Sequence, residues 1–224
     1  MSAELQAMQD DTEANPGLFW VLDGERLYAE PAGRVGTSCA DCHGPGESAM
    51  AGIAARYPAW DDVLAQPVDL AGRIGLCRTR QQQADPLARG SDALLALTAY
   101  VTHQSRGLPV VPDPTPEMDR VRAEGRALFA RRIGQLNLAC AQCHADNAGG
   151  RLAAALIPQA HPTGYPQYRL QWETMGSLHR RFRNCMTGVR ASTFEPGSRP
   201  LMALEAFLKD RAAGLAVETL PISP

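Results

Sequence analysis

Apolar side chains recur at helical spacing twice in the later part of the chain, at Met118, Val121, Gly125, Leu128 and Phe129, and at Leu201, Leu204, Phe207 and Leu208. Each run predicts a helix with one buried face. The pattern also repeats. Leu95-Ala96-Leu97-Thr98-Ala99-Tyr100 matches Met202-Ala203-Leu204-Glu205-Ala206-Phe207 at an offset of 107 residues, and Gly107-Leu108 falls on Gly214-Leu215. Residues 23–30 line up with 124–131 at an offset of 101. A further set, Leu170, Thr174, Leu178, Phe182 and Cys185, falls on one helical face and predicts an amphipathic helix within 165–185.

Between the copies lies Leu108-Pro109-Val110-Val111-Pro112-Asp113-Pro114-Thr115-Pro116, whose prolines cannot continue a helix and favour an extended tether. The boundary is placed there, giving units 1–110 and 111–224. Each unit reads as helix, loop, irregular or helical middle, and closing helix, without strand alternation beyond short segments. The expected fold is mainly α, with two tandem domains related by internal duplication.

The offset of 101 also superposes Cys39-Ala40-Asp41-Cys42-His43 on Cys140-Ala141-Gln142-Cys143-His144. Two thiols at this spacing form thioether links to the vinyl groups of one porphyrin, and the histidine supplies the proximal iron ligand. The chain should therefore carry two covalently bound haem c groups. Cys39, Cys42, Cys140 and Cys143 would hold the porphyrins, with His43 and His144 as iron ligands. The order of elements fits a small class I cytochrome c-like domain, present twice.

Composition agrees. An apolar content of 45% over 224 residues excludes a disordered linker, and the low aromatic content of 6% suits cores in which a haem supplies flat apolar surface. A net charge of −2 argues against nucleic acid or an anionic membrane as partner of the whole molecule. No apolar run is long enough to span a bilayer, and the chain opens on the polar Met1-Ser2-Ala3-Glu4-Leu5-Gln6. Covalent haem c is generally attached outside the bacterial cytoplasm, so a periplasmic protein with a cleaved export signal is expected.

The haem motifs consume four of six cysteines and leave Cys77 and Cys185, in corresponding places after each motif. Three readings stand for this pair: buried bystanders, a mutual disulfide, or distal iron ligands. Met50, Met118, Met175, Met186 and Met202 are alternatives for the sixth position, but no two are in register across the copies. His103, His161 and His179 likewise have no counterparts and read as packing or surface residues. Arginine surrounds both cysteines: Arg73, Arg78 and Arg80 near Cys77, and Arg180, Arg181, Arg183 and Arg190 with His179 near Cys185. Arg73 and Arg181 both stand four residues before their cysteine, one helical turn away. Such cations keep a thiol deprotonated and grip tetrahedral oxyanions through paired hydrogen bonds, or they neutralise haem propionates.

With these residues in hand, the chain resembles the SoxA family of thiosulfate-oxidising cytochromes. The match is strongest at Gly176-Ser177-Leu178-His179-Arg180-Arg181-Phe182-Arg183-Asn184-Cys185 with Gly188-Val189-Arg190-Ala191, supported by Asn15-Pro16-Gly17 through Trp20 and by Gly164-Tyr165-Pro166. The resemblance implies that Cys185 is the active-site cysteine, an iron ligand typically found as a persulfide, and that Cys77 ligates the first haem. It implies an L-cysteine S-thiosulfotransferase that joins thiosulfate to a cysteine of the SoxYZ carrier, with Arg181, Arg183 and Arg190 holding the dianion. Two electrons would leave through haem c to the mono-haem subunit SoxX and then a soluble cytochrome c. The competing expectations are a di-haem electron carrier without substrate chemistry, and a thiosulfate dehydrogenase forming tetrathionate.

Overall fold

The computed structural model describes residues 3–11, 13–46, 48–153, 155–218 and 221–223; Met1 and Ser2 of the polar opening lie outside them. Helix α1 (Ala3–Asp10) precedes a first copy made of α2 (Gly17–Ala29), α3 (Cys39–His43), β1 (Ala59–Asp61), β2 (Gln66–Val68), α4 (Leu70–Cys77) and α5 (Asp92–His103). The second copy holds α6 (Pro116–Ala130), α7 (Cys140–His144), β3 (Arg151–Leu152), β4 (Ala155–Leu156), β5 (Gln167–Arg169), β6 (Thr174–Gly176), α8 (Leu178–Gly188) and α9 (Arg199–Arg211). Strand β7 (Ile222–Ser223) then pairs in parallel with β5.

Each copy is framed by its first and last helix, which cross where glycine lets the backbones touch. A Cβ at Gly24 would stand 2.1 Å from the Ala96 carbonyl oxygen, and one at Gly125 would stand 1.9 Å from that of Ala203. Tilted aromatic pairs close both crossings, Tyr28 on Tyr100 at 5.2 Å between ring centroids and Phe129 on Phe207 at 5.4 Å. The two repeats of the sequence pattern are thus one packing solution used twice.

The middle of each copy is also duplicated, at an offset of 108. Strands β1 and β2 pair Asp61 with Gln66, and β5 and β6 pair Arg169 with Thr174 in the same register. Both hairpins begin with a cis Tyr-Pro bond, at Tyr57-Pro58 and Tyr165-Pro166, and both turn through a left-handed residue, Ala65 and Glu173. Each then enters a helix through a side-chain cap: Asp69 accepts from the Gly72 N–H at 2.7 Å, and Ser177 accepts from the Arg180 N–H at 3.2 Å. After Cys77 the chain makes a π turn over Arg78–Gln82, whereas α8 continues as α-helix past Cys185. The π turn takes up one extra residue and returns the offset to 107, so that Gln83 (φ 52°) and Arg190 (φ 55°) hold equivalent left-handed positions.

Two expectations need correction. The predicted helix within 165–185 exists only from Leu178 onward, because Pro166, the left-handed Glu173 and Gly176 break the stretch into a hairpin. Leu178, Phe182 and Cys185 remain on one helix; Leu170 and Thr174 do not. The proline-rich connector is no loose tether. Its Val110 N–H donates to Leu215 O, Val217 N–H donates to Leu108 O, and Val111 N–H donates to Ala55 O, fastening both copies together.

The copies also embrace reciprocally. Trp60 of β1 packs with Met118, Val121, Ala203 and Ala206 of α6 and α9, while the fully buried Met175 of β6 joins the first copy's core. Among the described residues no helix is long and apolar enough to cross a membrane.

Candidate functional site

Both Cys-x-x-Cys-His motifs form five-residue helices with capped starts. Ser38 and Asp41 cap α3 reciprocally, the Ser38 N–H donating to Asp41 Oδ2 at 2.7 Å and the Asp41 N–H to Ser38 Oγ at 3.1 Å. On α7 the Gln142 side chain accepts from the Ala139 N–H at 2.8 Å. The residues fit a haem. His144 Nδ1 lies 2.7 Å from Pro158 O, an arrangement in which Nδ1–H donates and leaves the Nε2 lone pair for iron. Burial, with Arg181 and Arg211 adding to it, holds the His144 imidazole below its usual range despite the Pro158 bond, so the neutral, ligand-competent form is favoured. His43 is exposed and makes no such bond among the described residues.

Cys77 and Cys185 come from the ends of α4 and α8 to the neighbourhood of their own haem motif. Burial pushes the Cys39 and Cys140 thiols up; Cys77 and Cys42 act on the first in the same sense, and Cys185 and Cys143 on the second. Both later cysteines are free thiols and are not joined to each other. Of the methionines considered, Met118, Met175, Met186 and Met202 are buried in the cores.

The arginines one turn before the two cysteines have different surroundings. Arg73 donates to Asp61 Oδ2 at 2.7 Å, and that carboxylate is only 5% exposed and also accepts from the Leu64 N–H. Arg181, by contrast, has no carboxylate within 4.0 Å among the described residues, and neither do Arg180, Arg183 and Arg190. Arg181 acts electrostatically on His144 and on Tyr165, the tyrosine that matches Tyr57. Burial pushes the Tyr165 phenol up to about 12 against the pull of Arg181, so it stays an O–H donor beside Cys185.

The other nominated cations are dispersed. Arg183 lines a cavity between the copies, and Arg190 is exposed in the left-handed turn that ends α8. Two cations absent from the sequence reading join the site instead. Arg169, at the end of β5, is influenced by Arg181, Tyr165 and Cys185. Arg211, in the last turn of α9, lies over the Phe129 ring at 5.0 Å and acts on His144. The matching of hairpins would have exposed Arg169 as the counterpart of Asp61; nothing local in the sequence marks Arg211.

The cavity between the copies encloses about 310 Å³ and is bordered by the caps of both cysteine helices, Asp69 and Ser177. Asp69 accepts two bonds from Arg89, at 2.6 and 2.8 Å. His179, 3% exposed, accepts from the Gly197 N–H through Nδ1 at 2.9 Å and places Nε2 3.0 Å from Glu205 Oε2. The His179 bonds fix the start of α8 against α9, and polar atoms of Asp69, His179 and Glu205 lie within 4.8 Å of one another where the copies meet, which agrees with the packing role expected of His179.

Comparison with known proteins gives a consistent picture. The family model described as the SoxA/TsdA cytochrome c domain matches residues 23–110 and again 124–217. The L-cysteine S-thiosulfotransferase subunit SoxA of Pseudaminobacter salicylatoxidans is 38% identical over 218 residues, covering 97% of this chain and 76% of that protein. The protein of the same name from Rhodovulum sulfidophilum is 31% identical, covering 96% and 75%. The crystal structure of SoxXA from P. pantotrophus superposes with a TM-score of 0.93 at 30% identity, over 99% of this chain and 83% of that one. The mainly helical, doubled architecture is therefore that of two cytochrome c domains, and the chain belongs to the SoxA family.

Proposed function

We propose that this chain is the catalytic subunit of an L-cysteine S-thiosulfotransferase, and that Cys185 is its reactive sulfur. The observation that carries the reading is Arg181, one turn before Cys185 and with no carboxylate within 4.0 Å among the described residues, set against the neutralised Arg73 before Cys77. A cation without a carboxylate partner among the described residues, beside a thiol and a phenol, suits a small dianion such as thiosulfate. The name of the SoxA relatives, L-cysteine S-thiosulfotransferase subunit, supports the same substrate.

The reaction joins thiosulfate and a carrier thiol by a new S–S bond, releasing one proton and two electrons. Arg181 would bind the sulfonate end, and Tyr165 would offer its O–H to the same anion. Arg183 and Arg190 would extend the positive surface along α8. Cys185, carried as a persulfide, would supply the sulfur that exchanges with the incoming groups. Cys39 and Cys42 with His43, and Cys140 and Cys143 with His144, would hold two haem c groups, with Cys77 and Cys185 as distal ligands. When bound, haem c takes up electrons singly and gives them a path out of the site. We place the haem domains at 1–110 and 111–224, in the periplasm, with SoxX as the mono-haem partner, SoxYZ as carrier and a soluble cytochrome c as final acceptor.

The test mixes the haem-loaded chain and SoxX with SoxYZ, thiosulfate and oxidised cytochrome c. Cytochrome reduction that requires SoxYZ, with a thiosulfonate adduct on the carrier cysteine, is the expected result. Tetrathionate formation at a rate indifferent to SoxYZ would overturn it in favour of a thiosulfate dehydrogenase.

A further inference from the structure

Exchanging the two copies maps the bonds that join them onto one another. The Gly107 N–H donates to Val217 O and the Gly214 N–H to Val110 O, both at 2.9 Å, while the Val110 bond to Leu215 O mirrors the Val217 bond to Leu108 O. Pro109 bridges Ala216, its own counterpart at the offset of 107. A local twofold axis therefore relates the copies. The cavity of about 310 Å³ between them follows it, for its walls include Tyr57 with Tyr165, Thr98 with Glu205, and Thr102 with Lys209, each residue facing the cavity with its counterpart.

The shape is symmetric and the charge is not. Where the first copy presents two threonines, the second brings Glu205 and Lys209. Arg89, Arg180, Arg183 and Lys209 border the cavity against the carboxylates of Asp69 and Glu205, an excess of two positive charges. Both acids are already engaged. Asp69 accepts from Arg89 and from the Gly72 N–H, and Glu205 Oε2 lies 3.0 Å from His179 Nε2. Because His179 Nδ1 accepts from the Gly197 N–H, Nε2 carries the ring proton and offers no lone pair to a metal ion there.

Lys209, one turn after Glu205, is half-buried, and its ammonium has no ion pair or hydrogen bond among the described residues. Burial lowers that ammonium against the pull of Glu205. On the first copy's wall the Thr102 hydroxyl, in a residue only 6% exposed, also has no partner. Orphaned donors in a cavity with surplus positive charge favour an acceptor that is itself an anion.

We propose that this cavity binds a tetrahedral oxyanion dianion of the sulfate class, held by Lys209 from the second copy and Thr102 from the first. A dianion there balances the excess charge and ties α5 to α9 across the twofold axis. The proposal does not depend on the function assigned to Cys185.

The experiment titrates the haem-loaded full chain with sodium sulfate at constant ionic strength, set with sodium chloride, and follows calorimetry and thermal unfolding. All variants carry Arg181→Gln, which strips the Cys185 site of its nearest cation. In that background one sulfate should bind, with a saturable gain in Tm. Adding Lys209→Met, apolar and of similar length, should weaken binding by about tenfold or more, and Thr102→Val by about threefold or more. In chloride alone Lys209→Met should melt at or above its background, because an unpaired charge has left a desolvated place, which separates binding from folding. Absence of saturable binding in the Arg181→Gln background would overturn the proposal. A gain in Tm that climbs equally with and without Lys209 would do the same, as the general effect of sulfate on protein surfaces. So would unchanged affinity in Lys209→Met with a shifted haem potential, which would assign the lysine to a propionate.

Discussion

The two halves of this chain share a scaffold and differ at one corner. Both cross their terminal helices over a glycine, both enter the cysteine helix from a Tyr-Pro hairpin, and both place arginine one turn before the cysteine. In the first half Asp61 neutralises that arginine, and the helix passes into a π turn after Cys77. In the second the acid is replaced by Arg169, tryptophan and a further arginine are added, and the helix runs on past Cys185. The proximal histidine differs too, exposed in the first half and held by Pro158 O in the second. Duplication kept the fold and changed the charge beside one sulfur, and under the proposed function that change separates a haem-packing cysteine from a substrate-handling one.

The sharpest break in the comparison comes from the cysteines themselves. Cys185→Ser should abolish carrier-dependent turnover, by about ten-thousandfold or more, in a protein that still carries both haems, whereas Cys77→Ser should cost less than about tenfold and change the spectrum of one haem. Steady-state rates and absorbance spectra of both variants decide this.

Next in size is the network that locks the halves together. Asp69→Asn removes the ion pair with Arg89, in which the carboxylate accepts two hydrogen bonds, and should destabilise the fold by about 3–5 kcal/mol in denaturant titration. Burial works to raise the Asp69 carboxyl, but the hydrogen bonds and charge of Arg89, helped by His179 and the Gly72 N–H, hold it below its usual range. The stability it adds is complete above the ordinary aspartate value of about 4 and is lost as pH falls through the lower folded value. The parent should therefore lose stability in acid more steeply than Asp69→Asn does.

Arg181→Gln should lower kcat/KM by about a hundredfold, through loss of a charged contact to the dianion. Arg73→Gln should act on stability instead, since it strands the buried Asp61. The smallest effects should be equal in the two halves: Gly24→Ala and Gly125→Ala each push a Cβ into a carbonyl and should cost about 1–3 kcal/mol. A clear inequality between them would show that the copies do not share one packing solution.

Much of this was legible in the chain. The helical spacing of Met118 through Phe129 and of Leu201 through Leu208 marks helices that the structure contains, because an amphipathic face is a local property. The haem motifs are equally local, needing only two thiols and an imidazole within five residues. The hairpins were missed because three-residue strands carry no alternation to detect, and Leu170 and Thr174 fell by chance on the face of the helix that follows. The connector's prolines predicted extension correctly but not attachment, which depends on partners about a hundred residues away, at Leu215 and Val217. Arg169 was hidden for the same reason: its meaning lies in its register against Asp61, and that register appears only when the hairpins are aligned.

The central claim, that sulfur chemistry belongs to the second cysteine alone, is tested most directly by peptide mass spectrometry. The haem-loaded chain with SoxX, cycled with thiosulfate and SoxYZ, would be digested under non-reducing conditions and its Cys77 and Cys185 peptides compared. An added sulfur confined to the Cys185 peptide and removed by mild reductant is the expected result. The same adduct on Cys77, or on both cysteines in equal measure, would contradict it.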